Sequence, residues 1–412
     1  MRQDIDAKIF CLIKIKGVFI IKKSSMRKIS LLLTVLFLQT IALYAQDEIP
    51  YYMKGYEKMW KINPKAAAIE WFRDAHFGMF VHFSPASRLP YNSDFSKLDK
   101  DWFSRHALAN QEKKVMDEYT YKEYLYDKLD FVVPEVQKVI EDFNPKNFNA
   151  DSIADLAVRA GMKYITFTTQ HVCGRLFMFD TSISKCNSVL AYNRDFVKEL
   201  SDACQKRGLG LFFYVMPPAN LLASEIKVML KELLTNYGPI AGIWFDGIWC
   251  AYLRPNDYFE TGDIYAYVNE IQPQCLISFK TGFTGDEDFL SPEWHQLKYD
   301  ENKNLVFTGK VPNADKKMPI LRLIDGEKKW VYQSFSEVWE KELRNKPVEL
   351  STTMIKGNVW FDQKDGVHKT TEEVLEQYKI TRRNGANFLL NVAPRGDGSI
   401  HPDDYAALKD FA

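Results

Sequence analysis

The sequence predicts an α/β protein, specifically a TIM-like (β/α)8 barrel of irregular outline, and three observations predict it. Short apolar runs alternate with amphipathic stretches from about Phe77 to the end of the chain. Most of these runs are apolar at consecutive positions, as in strands of a parallel sheet covered on both faces. No G-x-G-x-x-G or P-loop glycine fingerprint follows any run, so an open doubly wound sheet holding a nucleotide is the weaker reading.

Seven runs read as strands: Phe77 to Phe83, Tyr164 to Thr169, Leu209 to Val215, Ile240 to Phe245, Cys275 to Phe279, Val348 to Met354 and Asn387 to Val392. An eighth is expected in the aromatic region between Met116 and Phe148. The helices fall between them. Ile153, Leu156, Ala157 and Ala160 line one helical face that stops at Gly161, and Arg194 to Arg207 stops at Gly208. Ser224 to Tyr237 and Asp263 to Ile271 follow, and a further helix begins near Thr370, where Thr370 and Glu373 have capping-box spacing. A barrel of this class needs about 250 residues, and the chain has 412. The surplus falls into loops, the longest an insertion at about 297–347, expected to roof the mouth of the barrel.

Residues 1–45 read as an upstream segment and a secretory leader. Met26-Arg27-Lys28 is a basic start, Leu31 to Leu43 an apolar core too short to span a bilayer comfortably, and Ala45-Gln46 a cleavage point. Residues 46–412 then form a single domain, secreted or periplasmic. Its 54 basic and 54 acidic residues offer no electrostatic footprint for nucleic acid or an anionic membrane. Beyond the leader lie five cysteines, Cys173, Cys186, Cys204, Cys250 and Cys275, so at least one is unpaired within the chain. Cys204 shares a helix face with Phe196 and Leu200, a core position.

In such a barrel, chemistry sits where strands end. That position holds His82, His171, Tyr214, Asp246 and, in a late strand, Glu349. Asp246 closes the run Ile240 to Phe245 and precedes Gly247. It is either a turn residue bonded to nearby amides or a carboxylate with a task. His76, His82, His171 and Cys173 lack H-x-H or H-E-x-x-H spacing, so no metal and no other cofactor is expected. G-x-S-x-G is absent, which argues against a serine hydrolase. Two carboxyls working as a pair on a glycosidic bond fit best, with His and Tyr orienting hydroxyls.

The order of these motifs resembles the catalytic domain of the glycoside hydrolase family 29 α-L-fucosidases. Trp71 to Phe83 is similar to the family's opening strand, Phe143-Asn144-Pro145 through Tyr164 to its next helix and strand, and Trp244-Phe245-Asp246-Gly247 to its nucleophile motif. Gln272-Pro273, Gly285 to Glu293, and Asn387 to Pro394 followed by Asp397-Gly398 complete the series, from about Lys58 to the C-terminus. The resemblance implies a retaining exo-α-L-fucosidase acting on fucosylated glycans, with Asp246 as nucleophile. It implies His82, His171 and Tyr214 as fucose-binding residues, with Trp102 and Trp244 beside the sugar. The family's acid/base varies in position, and Asp288, Glu293 and Glu349 all stand as candidates, the first two preferred. Two departures are visible. His171-Val172-Cys173-Gly174 stands where the family usually reads His-His-Asp-Gly, and His82-Phe83-Ser84 where it commonly reads His-Trp-Gly. They leave two alternatives: a fucose-binding barrel with weakened or lost turnover, or a related exo-glycosidase for another L-galacto-type sugar. The C-terminal β-sandwich that often follows the family's barrel is not expected.

Overall fold

The computed structural model describes residues 13–15, 18–20, 48–89, 134–171, 176–217, 223–246, 261–280, 282, 284–294, 298–299, 301, 305–306, 318–324, 327–333, 337, 345–363 and 365–411. The chain divides into two compact units, Met1–Pro50 and Tyr51–Ala412. In the first, Ile13–Ile15 and Val18–Ile20 pair as an antiparallel hairpin. The leader at 26–45 lies outside the described residues, among which no helix is long and apolar enough to cross a membrane.

The second unit is built on seven parallel strands. They are β1 (Phe77–Val81), β2 (Tyr164–Gln170), β3 (Gly210–Val215), β4 (Gly242–Phe245), β5 (Leu276–Phe279), β6 (Glu349–Thr353) and β7 (Asn387–Asn391). Their spatial order is β6-β7-β1-β2-β3-β4-β5. Every strand residue is buried, as expected of a sheet covered on one face by helices and filled on the other by side chains. The longest helices are α1 (Pro64–Ala75), α2 (Ala150–Arg159), α3 (Phe196–Arg207), α4 (Ala223–Asn236), α5 (Thr261–Ile271) and α6 (Thr371–Arg383). Asn149, Asp195 and Thr370 cap α2, α3 and α6, the last in a full capping box with Glu373. Cys204 packs in the core, and Cys204 and Cys275 are free thiols.

The eighth stave is not where the sequence suggested. β1 pairs directly with β2, so nothing between them in the chain enters the sheet there. The described part of 116–148 holds a helix, Pro134–Asp142, and turns. The gap between edge strands β5 and β6 is spanned instead by 288–293. Phe289 bridges Ser278, Leu290 bridges Val348 and Glu293 bridges Ser351, all in parallel sense. This stave is irregular for a local reason: Ser291-Pro292 interrupts it, and proline has no N–H to offer a ladder.

Aromatic rings fill the N-terminal end of the barrel. Trp71, Phe72, Tyr164, Phe212 and Phe289 contact one another there. Gly78, Gly210 and Gly242 leave the space that the rings of Tyr164, Trp71 and Phe212 occupy; a Cβ at any of the three would collide with them. The described parts of the 297–347 insertion are short antiparallel pairs. The longer one, Met318–Ile324 with Glu327–Gln333, has its first strand beside α5. Among the described residues, none from the insertion lines the cavity at the barrel mouth.

Candidate active site

A cavity of about 140 Å³ opens at the C-terminal ends of the strands, and its polar groups come from β1, β2, β3, β4, β5 and the irregular stave. His82 follows β1. Its backbone N–H donates to Asn391 Oδ1 at 3.2 Å, and its Nδ1 lies 2.8 Å from the same oxygen. Asn391 Nδ2 donates to the Trp360 carbonyl at 2.7 Å, so the amide is oriented with its oxygen toward the ring. His82 Nδ1 therefore carries the proton and Nε2 is left to face the cavity as an acceptor. His171 follows β2, stacks on Tyr214 at 5.3 Å and 12°, and meets His82 edge-on. Burial pulls the His171 pKa down to about 4 against the opposing pull of Asp246, and burial with the neighbouring His171 holds His82 well below the usual range. Both rings are neutral at physiological pH.

Asp246 stands one residue beyond β4, its backbone N–H bonded to the Val215 carbonyl at 3.0 Å. Among the described residues, Tyr214 and Lys280 hold its carboxylate. The Tyr214 hydroxyl donates to Oδ2 at 2.9 Å, and Lys280 Nζ lies 3.2 Å from Oδ1. Lys280 also reaches Glu293 Oε1 at 3.1 Å, and Asn358 Nδ2 donates to Glu293 Oε2 at 3.2 Å. One ammonium thus bridges two carboxylates. Burial works to lower the Lys280 pKa, but Asp246 and Glu293 together outweigh it and leave it raised. Lys280 is the first residue past β5 and adopts a positive φ of 35°, a left-handed conformation that costs a non-glycine residue energy. The aromatic walls are Phe80, Trp244 and Trp360, with Trp360 4.9 Å from the His82 ring.

Of the residues singled out from the sequence, the structure brings His82, His171, Tyr214, Trp244, Asp246 and Glu293 to this one cavity. Trp102 lies outside the described residues, as do Val172 and Cys173. Asp288 is placed at the other end of β5. Its Oδ2 accepts from the Ile277 N–H at 2.9 Å and from Lys65 Nζ at 2.8 Å, on an outer helix. Glu349 begins β6 and is sealed below the cavity, 1% exposed. Ser291 Oγ and Trp244 Nε1 donate to its Oε1 at 2.6 and 3.3 Å, and the Tyr164 hydroxyl donates to Oε2. Burial pushes its carboxyl up to about 7 against these bonds. Sequence reasoning missed Lys280, Asn358, Trp360 and Asn391. Lys280 carried the same signal as the others, a polar residue directly after a strand; Trp360 and Asn358 sit in irregular chain with none.

Among the described residues, one group outside the cavity has the composition of a metal site: His368, His401 and Asp404. Its two Nδ1 atoms are otherwise engaged. His368 Nδ1 lies 2.6 Å from Asp404 Oδ1, and His401 Nδ1 accepts the Asp403 N–H as the cap of a helix. The two rings stack face to face at 3.8 Å, so their in-plane lone pairs do not converge.

The sequence model described as Alpha-L-fucosidase matches residues 43–225 and 218–412. Similar curated proteins include the tissue α-L-fucosidases of Mus musculus, 25% identical over 81% of this chain and 66% of that protein, and of Bos taurus, 26% identical over 81% and 64%. Arabidopsis thaliana α-L-fucosidase 1 is 24% identical over 66% of this chain and 52% of its own length. The chain thus spans somewhat under two thirds of the length of the mouse and bovine relatives. Among solved structures, the α-L-fucosidase AlfC from Lactobacillus casei in complex with α-L-fucose product aligns with a TM-score of 0.53 at 22% identity, covering 84% of this chain and 96% of that one. A bacterial fucosidase with a monovalent iminocyclitol inhibitor aligns with a TM-score of 0.55 at 20% identity, covering 84% and 73%. At these identities the structures share the barrel with this protein. With its family model running through both halves of the barrel, the chain belongs to the α-L-fucosidase family.

Proposed function

We propose that the protein is a retaining exo-α-L-fucosidase that removes terminal α-L-fucose from glycans through a covalent glycosyl-enzyme on Asp246. The observation that carries this reading is the shared lysine. Carboxylate oxygens 3.2 and 3.1 Å from one Nζ are no more than about 6.3 Å apart. Retaining glycosidases hold their two carboxyls about 5 to 5.5 Å apart, whereas inverting enzymes need about 6.5 to 9.5 Å to admit a water.

In the first step the Asp246 carboxylate attacks the anomeric carbon while Glu293, protonated, delivers its proton to the departing glycosidic oxygen. In the second, Glu293 takes a proton from water, the water oxygen attacks the same carbon, and the Asp246–sugar ester breaks. Lys280 holds the Asp246 charge in place and turns Glu293 toward the same point. Tyr214 fixes the second Asp246 oxygen. His82 offers Nε2 to a sugar hydroxyl, and His171 stands beside it. Trp244, Trp360 and Phe80 supply apolar surface suited to the methyl group and carbon face of a 6-deoxy sugar. The cavity's small volume suits one terminal residue and an exo mode of action.

Asp246→Ala, assayed on an aryl α-L-fucoside beside the wild type, should lose at least about a thousandfold in kcat. Unchanged turnover would remove Asp246 from the nucleophile role. The pattern Met26 to Ala45 supports export to the periplasm or medium. N-terminal sequencing of protein recovered there should begin near Gln46, and an intact Met26 would speak against the leader.

A further inference from the structure

We propose that Glu349 is a positioning residue: from beneath the cavity it ties the strand carrying Asp246 to the stave carrying Glu293, and so sets the spacing of the two carboxyls. The proposal rests on the catalytic reading above.

Three features of the geometry carry it. Glu349 Oε1 accepts from Trp244 and from Ser291 at the same oxygen. Trp244 precedes Asp246 by two residues and Ser291 precedes Glu293 by two, so the carboxyl holds the same relative position below each catalytic group. A displacement of either segment pulls on the other through one atom. Second, each arm continues upward to the catalytic groups. The Trp244 ring stacks on Tyr214 at 5.4 Å and 24°, and the Tyr214 hydroxyl bonds Asp246. Ser291 N–H donates to the Lys280 carbonyl at 2.5 Å, and Lys280 carries the ammonium between the two carboxylates. Third, the placement is costly. A carboxyl among Tyr164, Trp244 and Ser291 gives up its hydration, and burial drives its pKa up to about 7. A packing role alone would be served at less cost by an apolar side chain.

The bonding pattern identifies the discriminating variants. Glu349→Gln, with its carbonyl at the Oε1 position, keeps both arms and donates to Tyr164 from its amide. Glu349→Leu keeps the volume and cuts both arms. Ser291→Ala cuts only the arm toward Glu293. The full chain and each variant are assayed on 2,4-dinitrophenyl, 4-nitrophenyl and phenyl α-L-fucosides, whose leaving groups need progressively more help from an acid. Glu349→Leu should lower kcat by about tenfold to a hundredfold, most on the phenyl fucoside, with KM little changed. Glu349→Gln should restore most of that loss, and Ser291→Ala should steepen the leaving-group dependence in the same direction by less.

Wild-type kcat on all three substrates for Glu349→Leu would overturn the proposal, as would equal losses across the three shared by Glu349→Gln. If Glu349→Leu does not fold, Ser291→Ala decides: a leaving-group dependence identical to wild type overturns it. Asp246→Ala is measured in parallel. Full turnover there would sink the catalytic reading itself, an outcome distinct from any behaviour of Glu349.

Discussion

The mouth and the floor of the barrel each bring segments β4 and 288–293 together through charged chemistry, but by opposite means. At the mouth, Asp246 and Glu293 share the Lys280 ammonium, with side chains 12 to 29% exposed. At the floor, Glu349 is sealed and meets hydroxyls and an indole N–H, with no cation among the described residues bonded to it. The difference lies in how each carboxyl is held. At the mouth one ammonium pairs with both carboxyl groups, while at the floor burial among neutral donors pushes the Glu349 carboxyl up to about 7. The mouth holds two reactive groups at one spacing, and the floor supplies a fixed anchor point.

The largest effect should come from erasing this contrast at the mouth. Lys280→Met leaves two carboxyls facing each other without their shared cation. We expect kcat/KM to fall by about a hundredfold, and the acidic limb of its pH profile to move to higher pH because like charges resist ionising together. A profile superimposable on wild type would mean that Lys280 does not set the charge of the pair.

The floor should reveal itself in stability. The Glu349 pKa is about 7 in the folded state against an ordinary value of 4.5. Between those values the folded protein binds more protons than the unfolded chain. Its stabilising contribution is thus complete below about pH 4.5 and is lost as pH rises through 7. The full change is on the order of 3 kcal/mol. Glu349→Gln removes it, so denaturant curves of variant and wild type should diverge in favour of the variant between pH 5 and pH 8. Parallel curves would contradict a titrating Glu349.

The smallest effect is expected at Asp288, which faces Lys65 on the outside of the barrel's lower end. Asp288→Asn should cost about 1 kcal/mol of stability through the weakened ion pair, with kcat on a phenyl fucoside close to wild type. A loss of turnover comparable to that of Glu293→Gln would return Asp288 to the acid/base candidates.

Much of this contrast was legible before any coordinates. Most of the seven sheet strands announced themselves because they are apolar at consecutive positions and are followed within three residues by Gly, Pro, Asp or His; Glu349–Thr353, with one apolar residue, is the weakest of them. Strand ends in turn pointed to His82, His171, Tyr214 and Asp246. The eighth stave left no such trace, since its three bridges fall on either side of Ser291-Pro292 with no period to detect. That same irregularity hid which acid faces the cavity. Asp288 and Glu293 lie five residues apart on one segment, yet one bonds at the lower end of β5 and the other meets Lys280 at its upper end. Spacing along a chain with no regular structure says nothing about which way a side chain points. Glu349 was equally opaque: its strand position was readable, but whether the first residue of β6 sits at the floor or the mouth depends on how the barrel closes.

The central claim is a covalent bond between Asp246 and the sugar, and the most direct measurement is to trap it. The protein is treated with a 2-deoxy-2-fluoro-fucosyl donor bearing an activated leaving group, quenched, digested and mapped by mass spectrometry. The account predicts a single fluorofucosyl adduct on the peptide containing Asp246, absent from Asp246→Asn. An adduct on a different residue, with Asp246 unmodified, would contradict it.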